Sequence, residues 1–255
     1  MANRPNLVLI TADDLNWDSV GAYGCPVSEA TPNLNRLAAE GMRFDHAHVA
    51  IAVCQPSRSA MMTGRYPHRS GGEAFFRLRF GGVPILPDLL RRNGYEVGIL
   101  GKVTHSTPYA DFAWDMTRDM DDLGHGRDPA LYAQYAEAFV RNASGQGTPF
   151  FLMCNCHDPH RPFHGNDKPE WYEEGQVPPA ATPSRVFEAD EVTVPGFLPD
   201  LPEVRREIAE YFSSVRRCDD AVGRVLEVLQ RTGAEDNTLV VFLSDNGMAL
   251  PFAKT

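Results

Sequence analysis

The sequence lacks an excess of basic residues. It contains 24 lysines and arginines against 34 aspartates and glutamates, which gives a net charge of −10. A nucleic-acid-binding surface usually needs clustered positive charge, so this balance argues against a nucleic-acid partner. An anionic substrate would have to be met by local cations or by a metal ion, because the overall field of the protein repels it.

Long hydrophobic runs are also missing. No apolar run approaches the roughly 18 residues of a membrane-spanning helix, so we expect no membrane span. The first residues lead directly into a short apolar stretch at 6–10, whose length and flanks do not fit a signal peptide. The chain as written is expected to be cytoplasmic, and periplasmic or secreted if a signal peptide has been removed.

Cysteine is scarce, and its spacing is not that of a structural motif. The five cysteines are Cys25, Cys54, Cys154, Cys156 and Cys218, an odd number without a Cys-x-x-Cys pair. This pattern predicts neither a disulfide framework nor a zinc-binding module.

The length of 255 residues and the 43% hydrophobic content are sufficient for one large globular domain or two small ones.

Short apolar runs alternate with amphipathic helical patterns along the chain. The runs that predict buried strands are 7–11, 95–100, 150–156 and 238–243, with a further strand predicted at 43–49. The predicted helices are 31–41, 84–93, 129–141 and 202–232, and irregular surface segments are predicted at 106–128 and 164–202. The alternation predicts an α/β fold with a mostly parallel central sheet flanked by helices.

Polar side chains follow each of four predicted strands. Four of them are hard oxygen ligands of the kind that calcium or magnesium prefers, namely Asp13, Asp14, Asp245 and Asn246. Because the carboxyl ends of parallel strands meet at one edge of a sheet, we expect these groups to converge. Taken separately, each acidic pair can equally cap a helix or lie in a solvated turn.

Cations and imidazoles accompany these acids. They are Arg58, Lys102, His105, His160 and Lys254. Several positive groups around a divalent ion and a nucleophile suit the transfer of a tetrahedral oxyanion, either sulfate or phosphate.

The segment around Cys54 has an unusual composition. Pro56 suits the first turn of a helix, so Cys54 is expected at or just before a helix N-terminus, where negative charge is favoured. Arg58 follows one turn later on the same face. A reactive position that faces an anion is one interpretation, and a buried free cysteine that caps a helix is the other.

The sequence resembles the sulfatase family over nearly its whole length. Cys54-x-Pro56-Ser57-Arg58, followed by Thr63-Gly64, is similar to the family signature. Other segments that resemble the family are 4–14, 31–41, Gly101-Lys102-x-x-His105, Pro159-His160-x-Pro162 and Ser244-Asp245-Asn246-Gly247, followed by Lys254. The resemblance implies the alkaline-phosphatase-like sulfatase fold.

The resemblance also implies a set of cofactors. A maturase would convert Cys54 to formylglycine, whose hydrated aldehyde is the nucleophile. The metal would be calcium, with magnesium as the other possibility, and its implied ligands are Asp13, Asp14, residue 54, Asp245 and Asn246.

The remaining roles follow from the same resemblance. Lys102, His160 and Lys254 would bind the sulfate oxygens of a sulfated saccharide or another small sulfate ester, and Arg58 would assist the attack on sulfur. His160 would protonate the leaving alkoxide, and His105 would act as a base or orienting group when sulfate is expelled.

The end of the chain departs from the family pattern. Sulfatases usually continue beyond the lysine with more of the sheet and a smaller C-terminal domain. Residues 1–255 are therefore expected to be a truncated N-terminal catalytic domain without the C-terminal subdomain, with an open apolar sheet edge. A phosphonate monoester or phosphodiester hydrolase on the same scaffold, and an inactive binding or assembly fragment, are the alternatives; the oligomeric state is left open.

Overall fold

A five-stranded parallel sheet forms the centre of the protein. The computed structural model describes residues 4–76, 82–165, 181–251 and 253–254. Within these ranges the strands are β1 (Asn6–Ala12), β2 (Glu96–Leu100), β3 (Met116–Arg118), β4 (Phe150–Asn155) and β5 (Thr238–Ser244). Their order is β3-β2-β4-β1-β5, and every neighbouring pair is parallel. The predicted α/β class is confirmed.

Helices cover both faces of this sheet. They are α1 (Pro32–Glu40), α2 (Cys54–Thr63), α3 (Pro67–Ser70), α4 (Leu86–Arg92), α5 (Val103–Ser106), α6 (Pro129–Gly145) and α7 (Pro202–Thr232). Helix α7 has the predicted bounds because its signals are strong: proline lies in its first turn, and Gly233 ends it in the left-handed conformation at φ 70°. None of the helices in the described ranges is long and apolar enough to cross a membrane.

The core has two parts because neighbouring strand residues point to opposite faces of the sheet. Val8 and Ile10 of β1 pack into the larger cluster, together with apolar residues of α6 and α7. Leu9, between them, packs into a smaller cluster on the other face with Val97 and Met153. Strand β1, which leads to the candidate site, is therefore packed on both of its faces.

Two predictions of secondary structure are wrong. Residues 43–49 form no strand, and Phe44 and Val49 are exposed, because a strand-like composition without a pairing partner does not produce a strand. The predicted surface loop at 106–128 contains β3, which pairs with β2 through Gly98 and Met116. Three residues are too few to show an alternating pattern, so β3 could not be recognised in the sequence.

Two other predictions concern the periphery. The segment predicted at 164–202 contains neither a helix nor a strand in its described part before Pro202, and residues 166–180 lie outside the described residues. Strand β5 lies at one end of the sheet, where Leu239 is 56% and Val241 is 41% exposed. This agrees with the predicted open apolar edge.

Candidate active site

The acidic side chains converge where β1 and β5 end. The two strands pair in register up to Ala12 and Ser244, so that Asp13 and Asp245 follow at the same level. Carboxylate oxygens of Asp13, Asp14 and Asp245 lie within 4.8 Å of one another, and all three residues are buried. Asp14 has a left-handed backbone with φ 65°, a conformation that is uncommon outside glycine and clusters at functional sites.

These oxygens fit a hard divalent cation. Asp14 Oδ2 and Asn246 Oδ1 are buried and accept no hydrogen bond, whereas buried polar atoms are nearly always paired in proteins. Asn246 Nδ2 donates to Asp245 Oδ1 at 2.6 Å, which leaves its own oxygen directed elsewhere. Three clustered carboxylates and one amide oxygen form the type of donor set that binds calcium or magnesium.

Cys54 is the first residue of α2 and lies against the acids. Its Sγ is 3.2 Å from Asp13 Oδ1 and 3.8 Å from Asp14 Oδ1, and the residue is 3% exposed. Burial, together with the charges of Asp13 and Asp245, raises the pKa of the thiol to about 12. The unmodified side chain is therefore protonated at neutral pH and donates a hydrogen bond to the carboxylates.

Three cations neutralise the acids. Arg58 Nε pairs with Asp245 Oδ2 at 2.8 Å in a fully buried ion pair, Lys102 pairs with Asp13, and Lys254 pairs with Asp14. Burial alone would raise the pKa of Asp13, but the neighbouring charges of Lys102 and Arg58 outweigh it and hold that pKa below its usual value. Burial raises the pKa of Asp245 to about 6, against the opposing effect of Arg58.

The histidines differ in their surroundings. His160 Nε2 lies 3.9 Å from Asp14 Oδ2, and its side chain is 38% exposed. Burial, reinforced by the charge of Lys102, lowers the pKa of His105 to about 4, so this imidazole is neutral at pH 7. His157 is buried, and its Nε2 accepts a hydrogen bond from the Lys102 backbone N–H at 3.3 Å. His157 thus has a structural contact.

The sequence did not reveal the residues that support Arg58. Its Nη1 donates to Thr11 Oγ1 at 2.9 Å and to Asn155 Oδ1 at 2.8 Å, and Ser57 Oγ donates to the Asp245 carbonyl at 2.6 Å. Thr11 and Asn155 are single polar residues at the ends of apolar runs, whereas Ser57 lies inside α2. The positions of Thr11 and Asn155 at the carboxyl ends of β1 and β4 were the available signal.

A second buried ion cluster was also missed. Asp158 is paired with both Arg127 and Arg217, at 3.0 Å and 2.6 Å, and its backbone carbonyl accepts the Asp13 N–H at 3.2 Å. Asp158 lies two residues before His160, a predicted site residue, but its arginine partners are 31 and 59 residues away. Only the fold brings these three residues together.

The predicted site residues form one group at the sheet edge. Asp13, Asp14, Cys54 and Asp245 are connected by short contacts to Arg58, Lys102, His160 and Lys254. The catalytic roles expected of Arg58 and His105 stay predictions. A parallel sheet with donor groups gathered where its strands end is the usual arrangement of a ligand site in the class of α/β proteins.

Comparison with known proteins narrows this class. The family model described as Sulfatase matches residues 5–253. The chain belongs to the sulfatase family. The N-sulphoglucosamine sulphohydrolase of Homo sapiens is 32% identical over 270 residues, which cover 99% of this chain and 52% of that protein. The chain spans about half the length of the curated relatives it matches.

Solved structures share the fold. A protein solved in complex with its substrate D-glucosamine-2-N,6-O-disulfate superposes with a TM-score of 0.71 and 19% identity, over 96% of this chain and 66% of that one. The phosphonate monoester hydrolase of Agrobacterium radiobacter superposes with a TM-score of 0.63 and 23% identity, over 96% and 63% of the two chains. At this level of identity the likeness concerns the architecture alone.

Proposed function

We propose that the protein hydrolyses a sulfate ester of a carbohydrate. The observation that carries this proposal is the contact of Cys54, at the start of α2, with the carboxylates of Asp13 and Asp14. Family membership and the names of the relatives support it, since the human relative is named for sulphoglucosamine and the solved neighbour for a glucosamine disulfate.

The proposed cofactors are a calcium ion and formylglycine at position 54, produced from Cys54 by a maturase. Asp13, Asp14, Asp245 and Asn246 would hold the ion, and residue 54 would complete its ligand set. When bound, such an ion supplies Lewis-acid polarisation, and formylglycine supplies a hydroxyl nucleophile. Magnesium suits the same oxygen donors.

The cations of the chain would bind the sulfate group. Lys102 and Lys254 are paired with Asp13 and Asp14, so their ammonium groups lie beside the position of the nucleophile. His160 would add a hydrogen bond to a sulfate oxygen. Arg58 holds Asp245 and is fully buried, so it would act on the reacting centre through its charge.

Proton transfer is assigned to the two histidines. When the S–O bond to the sugar breaks, its electron pair stays on the alkoxide oxygen, and His160 would donate a proton there. The exposed position of His160 suits contact with a leaving group. His105 is neutral at pH 7, so it would accept the proton of the second hydroxyl of the hydrated residue 54, the one that did not attack sulfur, as sulfate departs.

The experiment compares Cys54→Ala with Cys25→Ala after co-expression with a maturase. Mass spectrometry of the peptide that contains residue 54 should detect the aldehyde, and N- or O-sulfated glucosamine should release sulfate. We expect Cys54→Ala to lose turnover by at least about 10³-fold. Cys25 lies outside the acidic group, so its variant should retain activity. Full turnover in Cys54→Ala would refute the proposal.

A second candidate is hydrolysis of a phosphonate monoester or phosphodiester. The shared architecture with the Agrobacterium hydrolase favours it, and the same cations can bind either tetrahedral oxyanion. The ratio of kcat/KM for an aryl sulfate and the matching aryl phosphonate or phosphodiester distinguishes the two. The remaining alternative, an inactive fragment, predicts that both rates are zero while the chain unfolds cooperatively.

A further inference from the structure

A second set of donor atoms overlaps the oxygen set. Ligand atoms of Asp13, Cys54 and His160 lie within 4.8 Å of one another. The three residues come from the end of β1, the start of α2 and the loop after β4. Their spacing along the chain is 41 and 106 residues, so no zinc-like spacing could reveal them.

The two sets differ in the metal that they prefer. Asp13, Asp14, Asp245 and Asn246 offer oxygen alone, which suits calcium and magnesium. The second set offers a thiolate, an imidazole and a carboxylate, which suit zinc and other borderline-soft ions. Because Asp13 belongs to both sets, the identity of residue 54 decides which set is complete.

The orientation of His160 favours a ligand role in this set. Its Nδ1 lies 2.5 Å from the Arg161 carbonyl oxygen. A carbonyl oxygen can only accept, so Nδ1 carries a proton, and Nε2 is the ring nitrogen that is left to bind a metal ion. A hydrogen bond from the second ring nitrogen to a carbonyl is the usual support of a metal-binding histidine.

Two further observations point to a cation at this position. Asp14 Oδ2, in a residue that is 1% exposed, accepts no hydrogen bond and faces His160 Nε2 at 3.9 Å. On the other side, the Lys254 ammonium lies 3.6 Å from Cys54 Sγ and pairs with Asp14. A lysine ammonium thus provides the positive charge that these donors attract.

We propose that the unconverted protein, with a cysteine at position 54, binds a zinc-type ion through Asp13, Cys54 and His160. Formation of the metal–sulfur bond releases the thiol proton to solvent, and no electron transfer is involved. Conversion of Cys54 removes the sulfur and leaves the oxygen set. This inference rests on the proposed function only in assuming that residue 54 is the converted position.

Cadmium is a suitable probe because its bond to a thiolate gives an ultraviolet charge-transfer band. The chain is produced without a maturase and titrated with Cd²⁺ in a buffer free of Ca²⁺, because Ca²⁺ would compete for Asp13. We expect one equivalent of the band, absent in Cys54→Ser and retained in the control Cys25→Ser. His160→Asn should weaken Cd²⁺ binding at least about tenfold, whereas Asn246→Ala should change it less than about twofold. Lys254→Gln removes the competing ammonium and should tighten binding.

Several results would overturn this inference. They are the absence of any band, a band that persists in Cys54→Ser, and unchanged affinity in His160→Asn. The ¹¹³Cd NMR shift of the unaltered chain needs no variant and should indicate one sulfur with nitrogen and oxygen ligands; a shift typical of oxygen alone would also refute it. None of these readouts uses turnover, so they are independent of the sulfatase assay on the converted protein.

Discussion

Two buried charge clusters lie side by side in this protein, and they are built differently. Around Asp158, one carboxylate is shared by two arginines: Oδ1 accepts from Arg127 and Arg217, and Oδ2 accepts from Arg217 at 2.6 Å. At the ends of β1 and β5, three carboxylates crowd together, and Asp14 Oδ2 and Asn246 Oδ1 accept no hydrogen bond.

The difference separates a structural cluster from a ligand site. A buried polar group without a partner is costly, and a fold retains it when a ligand supplies the missing interaction. The Asp158 cluster instead connects elements: Arg127 also donates to the His160 carbonyl at 3.0 Å, and the Asp158 carbonyl accepts the Asp13 N–H. It therefore holds the loop that carries His160 against the end of β1.

The largest effect on stability is expected from Asp158→Ala. The substitution leaves two buried arginines without their shared carboxylate, a change that typically costs about 3–5 kcal/mol of unfolding free energy. Urea unfolding followed by circular dichroism measures it. The control is Asp200→Ala, which removes a solvent-exposed ion pair with Arg205 and should cost far less. Equal losses in the two variants would contradict the structural role of the Asp158 cluster.

Calcium that binds at the strand-end cluster should raise the unfolding free energy of the protein, and the Asp158 cluster should take no part in this effect. An ion that binds only the folded state at 100 times its dissociation constant adds about 2.7 kcal/mol. Thermal unfolding with Ca²⁺ and with a chelator measures the increment in Tm. Asn246→Ala should lose most of it, whereas Asn142→Ala, which changes an exposed amide on α6, should keep it. An equal increment in the two variants would place the ion elsewhere.

Much of the candidate site could be predicted because its residues stand at strand ends. Four apolar runs, each followed within a few residues by Asp13, Lys102, His160 or Asp245, predicted a parallel sheet with one functional edge. The chemistry available to each side chain could be inferred from its residue type. The parallel pairing of β1, β2, β4 and β5 then brings the carboxyl ends of these strands together.

The rest could not be predicted because it depends on contacts between distant residues. Asp158 and Arg217 are 59 residues apart, and Arg217 lies in a helix whose other buried positions are mostly apolar. Strand β3 is stabilised by its parallel pairing with the edge of β2, which is a contact between separate segments of the chain. The Asp13–Cys54–His160 set likewise joins three elements, so spacing along the chain argued against a soft-metal site.

A pH dependence is expected from His157, which lies between the two clusters. Burial lowers its pKa well below the usual value, so the folded state keeps it neutral while the unfolded state binds a proton below about pH 6.5. The stability contributed by His157 is therefore fully present above pH 6.5 and is lost as the pH decreases. Between pH 6.5 and pH 5 the loss from this residue is up to about 2 kcal/mol.

Urea unfolding at pH 7.5 and pH 5 tests this in His157→Gln. The variant should show a smaller pH dependence than the unaltered protein, and the exposed His46→Gln should show the same dependence as the unaltered protein. A His157→Gln variant with the same pH dependence as the unaltered protein would contradict a neutral buried His157.

The smallest effect on stability is expected from Asp14→Asn without calcium. The isosteric change reduces repulsion among three clustered carboxylates but loses the pair with Lys254, so the unfolding free energy should change by no more than about 1 kcal/mol in either direction. Asp158→Asn is the matched change in the other cluster, and it should be clearly destabilising, because both oxygens of Asp158 are bound by arginine. If Asp14→Asn were the more damaging of the two, the strand-end carboxylates would be structural groups, and the assignment of this edge as a ligand site would fail.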